Sequence, residues 1–106
     1  MKKYTVRPTP KFYNDLEIAI NNIAKNSAQN ARLVNDAVYN VALSLSEMPE
    51  RFQYAREREV HNRLRNQNLR QAIVKNHRII FLIQNDTVSI LTIQHCRQKT
   101  IDREEI

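Results

Sequence analysis

Two stretches of helical periodicity stand back to back in this chain with three residues between them, and no other feature constrains the fold as much. Phe12, Leu16, Ala19, Ile20 and Ile23 recur at helical spacing, opposite a face of Asn14, Asp15, Glu17, Asn21 and Asn22. Thr9-Pro10 ahead of them supplies a hydroxyl for the N-cap and a proline for the first helical position. Lys25-Asn26-Ser27 then breaks the pattern. Asn26 suits a left-handed helix end, and Ser27 suits the cap of a second helix. Val34, Val38, Val41, Leu45 and Met48 continue at three- and four-residue steps, with Ala37 and Ala42 beside them, and the helix stops before Pro49. Helices joined so tightly run antiparallel, and their apolar stripes read as core rather than as a cofactor pocket.

The rest of the chain supplies a sheet. Lys3 to Arg7 alternates, with Tyr4 and Val6 on one side, and reads as a first strand. From Glu50 to Asn68 the periodicity fails, and Phe52, Tyr54, Val60 and Leu64 are the only sizeable apolar residues. This reads as a long loop with a helical turn between Ala55 and Arg65; such segments inside small domains are often functional. Leu69 to Val74, Arg78 to Ile83 and Val88 to His95 read as three strands, with turns at Lys75-Asn76 and Asn85-Asp86. Asn and Asp are expected to hold the positive φ there, because the chain has no glycine. The expected architecture is one α+β domain over residues 1–106: a strand, an antiparallel helical hairpin, a three-stranded antiparallel meander, and a polar, frayed tail at 98–106.

Composition removes several functions. Without glycine there is no phosphate-cradling loop, dinucleotide fingerprint or nucleophile elbow. His61, His77 and His95 pair at no metal-ligand interval, so neither metal nor other cofactor is expected. Cys96 is the sole cysteine and reads as a small buried hydrophobe. Met1-Lys2-Lys3 is followed by no signal-peptide core, and no apolar run approaches the roughly 20 residues that span a bilayer. The expectation is a reduced, cytoplasmic protein with no membrane partner.

The net charge of +6 is concentrated. Residues 51–78 carry eight Lys and Arg against Glu57 and Glu59, whereas the flanking regions are nearly balanced. Such a cluster, with Arg63, Arg65, Arg70 and Lys75 in it, reads as a footprint for nucleic acid or an acidic protein, with a merely solvated loop as the alternative. The first helix has an acidic outer side and no helix-turn-helix pattern is visible, so groove reading of DNA is not expected.

A two-residue turn at Asn85-Asp86 would set Ile83 opposite Val88, Phe81 opposite Ile90 and Ile79 opposite Thr92 on one sheet face. The other face would hold Leu82 with Ser89, Ile80 with Leu91 and Arg78 with Ile93, continued by His95 and Arg97. Two expectations follow. Ile80, Leu82, Leu91 and Ile93 form an apolar face that the helices cannot cover, left to the loop, the tail or another chain. Arg78 and His95 become diagonal neighbours roughly 7–8 Å apart at the sheet end. Two arginines there could hold phosphate or carboxylate, and the histidine could move a proton.

The segment Asn68 to Ile83, followed by Val88-Ser-Ile-Leu-Thr-Ile-Gln-His-Cys-Arg97, resembles the C-terminal half of the RelE/ParE toxin superfamily. Arg70, Arg78, Phe81, His95 and Arg97 occupy the pattern's places, and His77 stands where the family usually has Tyr. The N-terminal half agrees, so the resemblance covers about residues 3–97. It implies a β-α-α-β-β-β toxin of a type II toxin–antitoxin system, silenced by a cognate antitoxin that fits the uncovered face, and able to form a homodimer or a hetero-oligomer with the antitoxin. One branch cuts mRNA on the ribosome without a metal. In that branch Arg78 and Arg97 would hold the phosphate, His95 would act as acid or base, and Lys75 or Arg70 would assist. The other branch poisons DNA gyrase. The long hairpin, the ending Gln94-His-Cys-Arg-Gln98 and the lack of any aromatic residue after Phe81 lean toward gyrase. The Arg/His cluster and basic loop suit RNA instead. A non-toxic binding module derived from the family is the third reading.

Overall fold

Thr9 starts the first helix as its sequence suggests: its hydroxyl accepts the Phe12 amide, and Pro10 occupies the first turn. In this computed structural model, which describes residues 2–101, the order is β1 (Thr5–Pro8), α1 (Pro10–Ala24), α2 (Ala28–Ser44), α3 (Glu57–Val60), β2 (Leu69–Val74), β3 (His77–Gln84) and β4 (Thr87–His95). Short 3-10 turns lie at Pro49–Arg51 and Asn62–Leu64. The sheet order is β1-β4-β3-β2, with β1 parallel to β4 and the other pairs antiparallel. This is the expected α+β architecture. The hairpin buries Phe12, Leu16, Val34, Val38, Ala42 and Leu45 against Ile79, Phe81, Ile83, Val88, Ile90 and Ile93.

Three local expectations need correction. Lys25, not a left-handed Asn26, closes α1, in ordinary right-handed geometry, and Ser27 caps α2 through the Asn30 amide. Met48 does not continue the apolar stripe: α2 ends at Ser44, and Met48 sits exposed at φ 49°. Arg51 ties down the chain just past this end: its guanidinium donates to the Ser44 hydroxyl and to the carbonyls of Ser44, Glu47 and Met48. In each hairpin turn the first residue holds the positive φ, so Lys75 (57°) does so rather than Asn76, alongside Asn85 (53°).

The larger correction concerns β4. Pairing runs as expected through Phe81–Ile90, but Ile80 then faces Thr92, Ile79 faces Ile93, Arg78 faces Gln94 and His77 faces His95. Leu91 is therefore an extra residue in a β-bulge. Its cause is the chain entering α1. The Thr9 hydroxyl lies 2.9 and 3.1 Å from the carbonyls of Ile90 and Leu91, and the Thr9 amide also donates to Ile90. Ile93 consequently joins the helix-side core instead of the far face.

The far face is also largely covered. Ala55, Leu64 and Ile101 close over Leu69 and Ile80, leaving Leu82 and Leu91 half-buried at the margin. Residues 98–101 of the expected frayed tail are thus docked: the Ile101 amide donates to Glu57, and its carbonyl meets His61 at 2.8 Å. The remainder of that tail, 102–106, lies outside the described residues.

Candidate functional site

The basic stretch folds back on itself. Arg70 donates to Asn68 and to the carbonyls of Glu50 and Phe52, and its guanidinium lies 4.2 Å from the Tyr54 ring centroid. Arg58 stacks on the same ring at 3.7 Å and donates to the Arg65 carbonyl, while Arg56 reaches the carbonyls of Cys96 and Gln98. These arginines supply the hydrogen bonds that an irregular backbone cannot make with itself. Arg63, Arg65 and Lys75 lie exposed on the loop and turn.

Arg78 is nearly wholly buried, at 1% exposure. Its guanidinium forms a two-pronged ion pair with Glu57, which has no exposed surface, and one nitrogen also donates to Gln71 at 2.9 Å. Burial pushes the Glu57 carboxyl up, but the Arg78 hydrogen bonds, the Ile101 amide and the Arg78 charge together hold it below its ordinary value of 4.5. The expected Arg78–His95 pair is not assembled. The bulge and register place Arg78 opposite Gln94, with its side chain under α3, while His95 faces His77.

His77 and His95 form the actual cluster at the sheet end. Their ring centroids are 5.1 Å apart and nearly perpendicular. Burial, and then the neighbouring His95, hold His77 below its ordinary 6.5. The Arg97 amide donates to His95 Nδ1 at 3.0 Å, so the third residue of the expected set stays beside His95, with its own side chain exposed. Both histidines line an open cleft of about 620 Å3 between the sheet end, α1 and the start of α2. Cys96 is half-buried beside them. The sequence did carry a signal for this regrouping: apolar positions in β4 run 88, 90, then 91 and 93, a parity change that marks an inserted residue. Among the described residues no cluster suits a metal, and no helix is long and apolar enough to cross a membrane.

This strand, helical hairpin and three-stranded meander, closed by β1 against β4, form a RelE/ParE-like fold. Residues 6–100 match the family described as the ParE toxin of the type II toxin–antitoxin system parDE, and the chain belongs to that family. Two solved structures are similar. One, a chromosomal ParDE toxin–antitoxin system from P. aeruginosa, has a TM-score of 0.69 at 11% identity, covering 88% of this chain and 96% of that one. The other, the toxin–antitoxin complex RelBE2 from Mycobacterium tuberculosis, has a TM-score of 0.55 at 26% identity, covering 90% and 93%. No curated protein matches the chain.

Proposed function

We propose that this chain is a growth-arresting toxin directed at DNA gyrase, acting in the cytoplasm and silenced by a cognate antitoxin. The observation that carries the choice of target is the burial of Arg78. Metal-independent cleavage of RNA requires cations poised on the scissile phosphate, where charge develops. Arg78 instead spends its fork on Glu57, beneath α3 and away from His95. Membership in the ParE family supports the same reading. The antitoxin reading draws support from the two similar toxin–antitoxin assemblies. It also draws on the apolar surface left on the hairpin by Ile18, Leu33, Leu43 and, just past α2, Met48. The antitoxin then covers helices rather than the far sheet face, where Ile80 is already buried.

One observation favours the ribosome-dependent endoribonuclease instead: His77 and His95 stand together beside Arg97, an acid–base pair that does not need Arg78. Induced expression separates the readings. DNA integrity and mRNA 5′ ends are followed in the same cells. Early double-strand breaks with intact mRNA are expected; rapid cuts within translated frames would transfer the function to the nuclease. Unimpaired growth would leave a binding module only.

A further inference from the structure

The cleft at the sheet end has the donors of an anion site, and the gyrase reading does not use them. His95 Nδ1 accepts the Arg97 amide, so the neutral ring carries its proton on Nε2. His77 is 8% exposed, and its Nδ1 has no hydrogen-bond partner. A buried N–H without an acceptor is rarer in proteins than a bare acceptor, so the Nε2–H form suits this ring too. Each histidine therefore has an Nε2–H donor to give.

The amino-terminal end of α2 opens on the same cleft through Ser27 and Asn30. This helix has 17 residues and no acidic residue in its first turn, so its positive pole is uncompensated. Lys11 on the wall is paired with Asp15, so the two add no net charge to the cleft. Asp15 also lines the cleft, but its carboxylate is engaged by Lys11 at 2.8 Å and by the Thr92 hydroxyl. A divalent metal fits poorly. It would need a bare Nε2 on His95, which would put the proton on Nδ1 against the Arg97 N–H, donor against donor.

We propose that this cleft binds a small phosphate monoester, its dianionic head held by the His77 and His95 Nε2–H groups and the start of α2. The cleft's volume of about 620 Å3 is far more than inorganic phosphate fills and is typical of small-molecule sites. The ester group would occupy the remainder.

The test uses the purified full chain with selectively labelled histidines, titrated with inorganic phosphate and, separately, with a nucleoside 5′-monophosphate. Saturable shifts of both the His77 and the His95 ring resonances are expected, with tighter binding of the monophosphate. Silence of both rings toward both probes overturns the site. Equal affinity for the two probes, or shifts that do not saturate, overturns the monoester assignment. Ser27→Asp retains a good N-cap while placing a negative charge at the helix pole, so the fold survives. Its monophosphate affinity is expected to fall about tenfold, the size of a favourable helix-pole interaction. An unchanged affinity would show that α2 takes no part and would defeat the proposal.

Discussion

Glu57 and Arg78 illustrate how a charge read as functional in sequence becomes structural in three dimensions. Neither side chain faces water, so each depends on the other, on Gln71 and on the Ile101 amide for solvation. Glu57→Gln leaves a buried guanidinium without its counterion. A loss of about 3–5 kcal/mol is expected in urea unfolding. Replacing both residues, Glu57→Met with Arg78→Met, removes both desolvation costs and should recover most of that loss. Protonation equilibria give a second expectation. His77 titrates lower folded than unfolded, so the folded state favours its neutral form. Its stabilising share is complete above about pH 6.5 and is lost as the pH falls through the lower folded value. Glu57 also titrates lower when folded, so its share is complete above about pH 4.5 and is lost below that. Stability measured from pH 8 downward should decline in two stages, and His77→Gln should remove the first. A single decline confined to the carboxylate range would refute the histidine assignment.

At the level of elements, Thr9 links the start of α1 to the bulge in β4. Its hydroxyl serves the Phe12 amide and the carbonyls of Ile90 and Leu91. Thr9→Val keeps the shape and removes these bonds, and should cost about 1–2 kcal/mol in urea unfolding. A cost near zero would mean that the Thr9 backbone alone holds the bulge. Helices and strands were legible in the sequence because apolar spacing dictates them: α1 begins where Thr9-Pro10 places it, and β2 has the bounds read from Leu69 to Val74. The bulge is harder to read, since regular alternation continued past Ile90 conceals it and only the parity change at Leu91 and Ile93 betrays it. That single residue regrouped the candidate site, moving Ile93 to the helix side and exchanging Arg78 for His77 as the neighbour of His95. Docking of Ile101 was equally hidden, because one isoleucine in a polar tail carries no periodicity to read.

For the whole molecule, a net charge of +6 still attracts acidic partners at long range, since arginines bonded to carbonyls keep their charge. What the fold removes is the freedom of Arg51, Arg56, Arg58, Arg70 and Arg78 to make close forked contacts elsewhere. Arg78 is the sharpest case, and its replacement tells a structural arginine from one that contacts a phosphate. If growth arrest requires Arg78 on a phosphate, no repair of the fold can restore arrest once that residue is gone. If Arg78 serves only to hold α3 and Ile101 over the sheet, a buried pair of similar shape can take its place. The Glu57→Met, Arg78→Met protein keeps that layer apolar and filled. Growth arrest on induction is therefore expected to persist in the double variant and to weaken in Arg78→Met alone, which strands the Glu57 charge. The measurement is colony growth after induction, with soluble protein and its unfolding midpoint checked for both. Loss of arrest in a double variant that folds as well as the parent would return Arg78 to the target contact and count against gyrase.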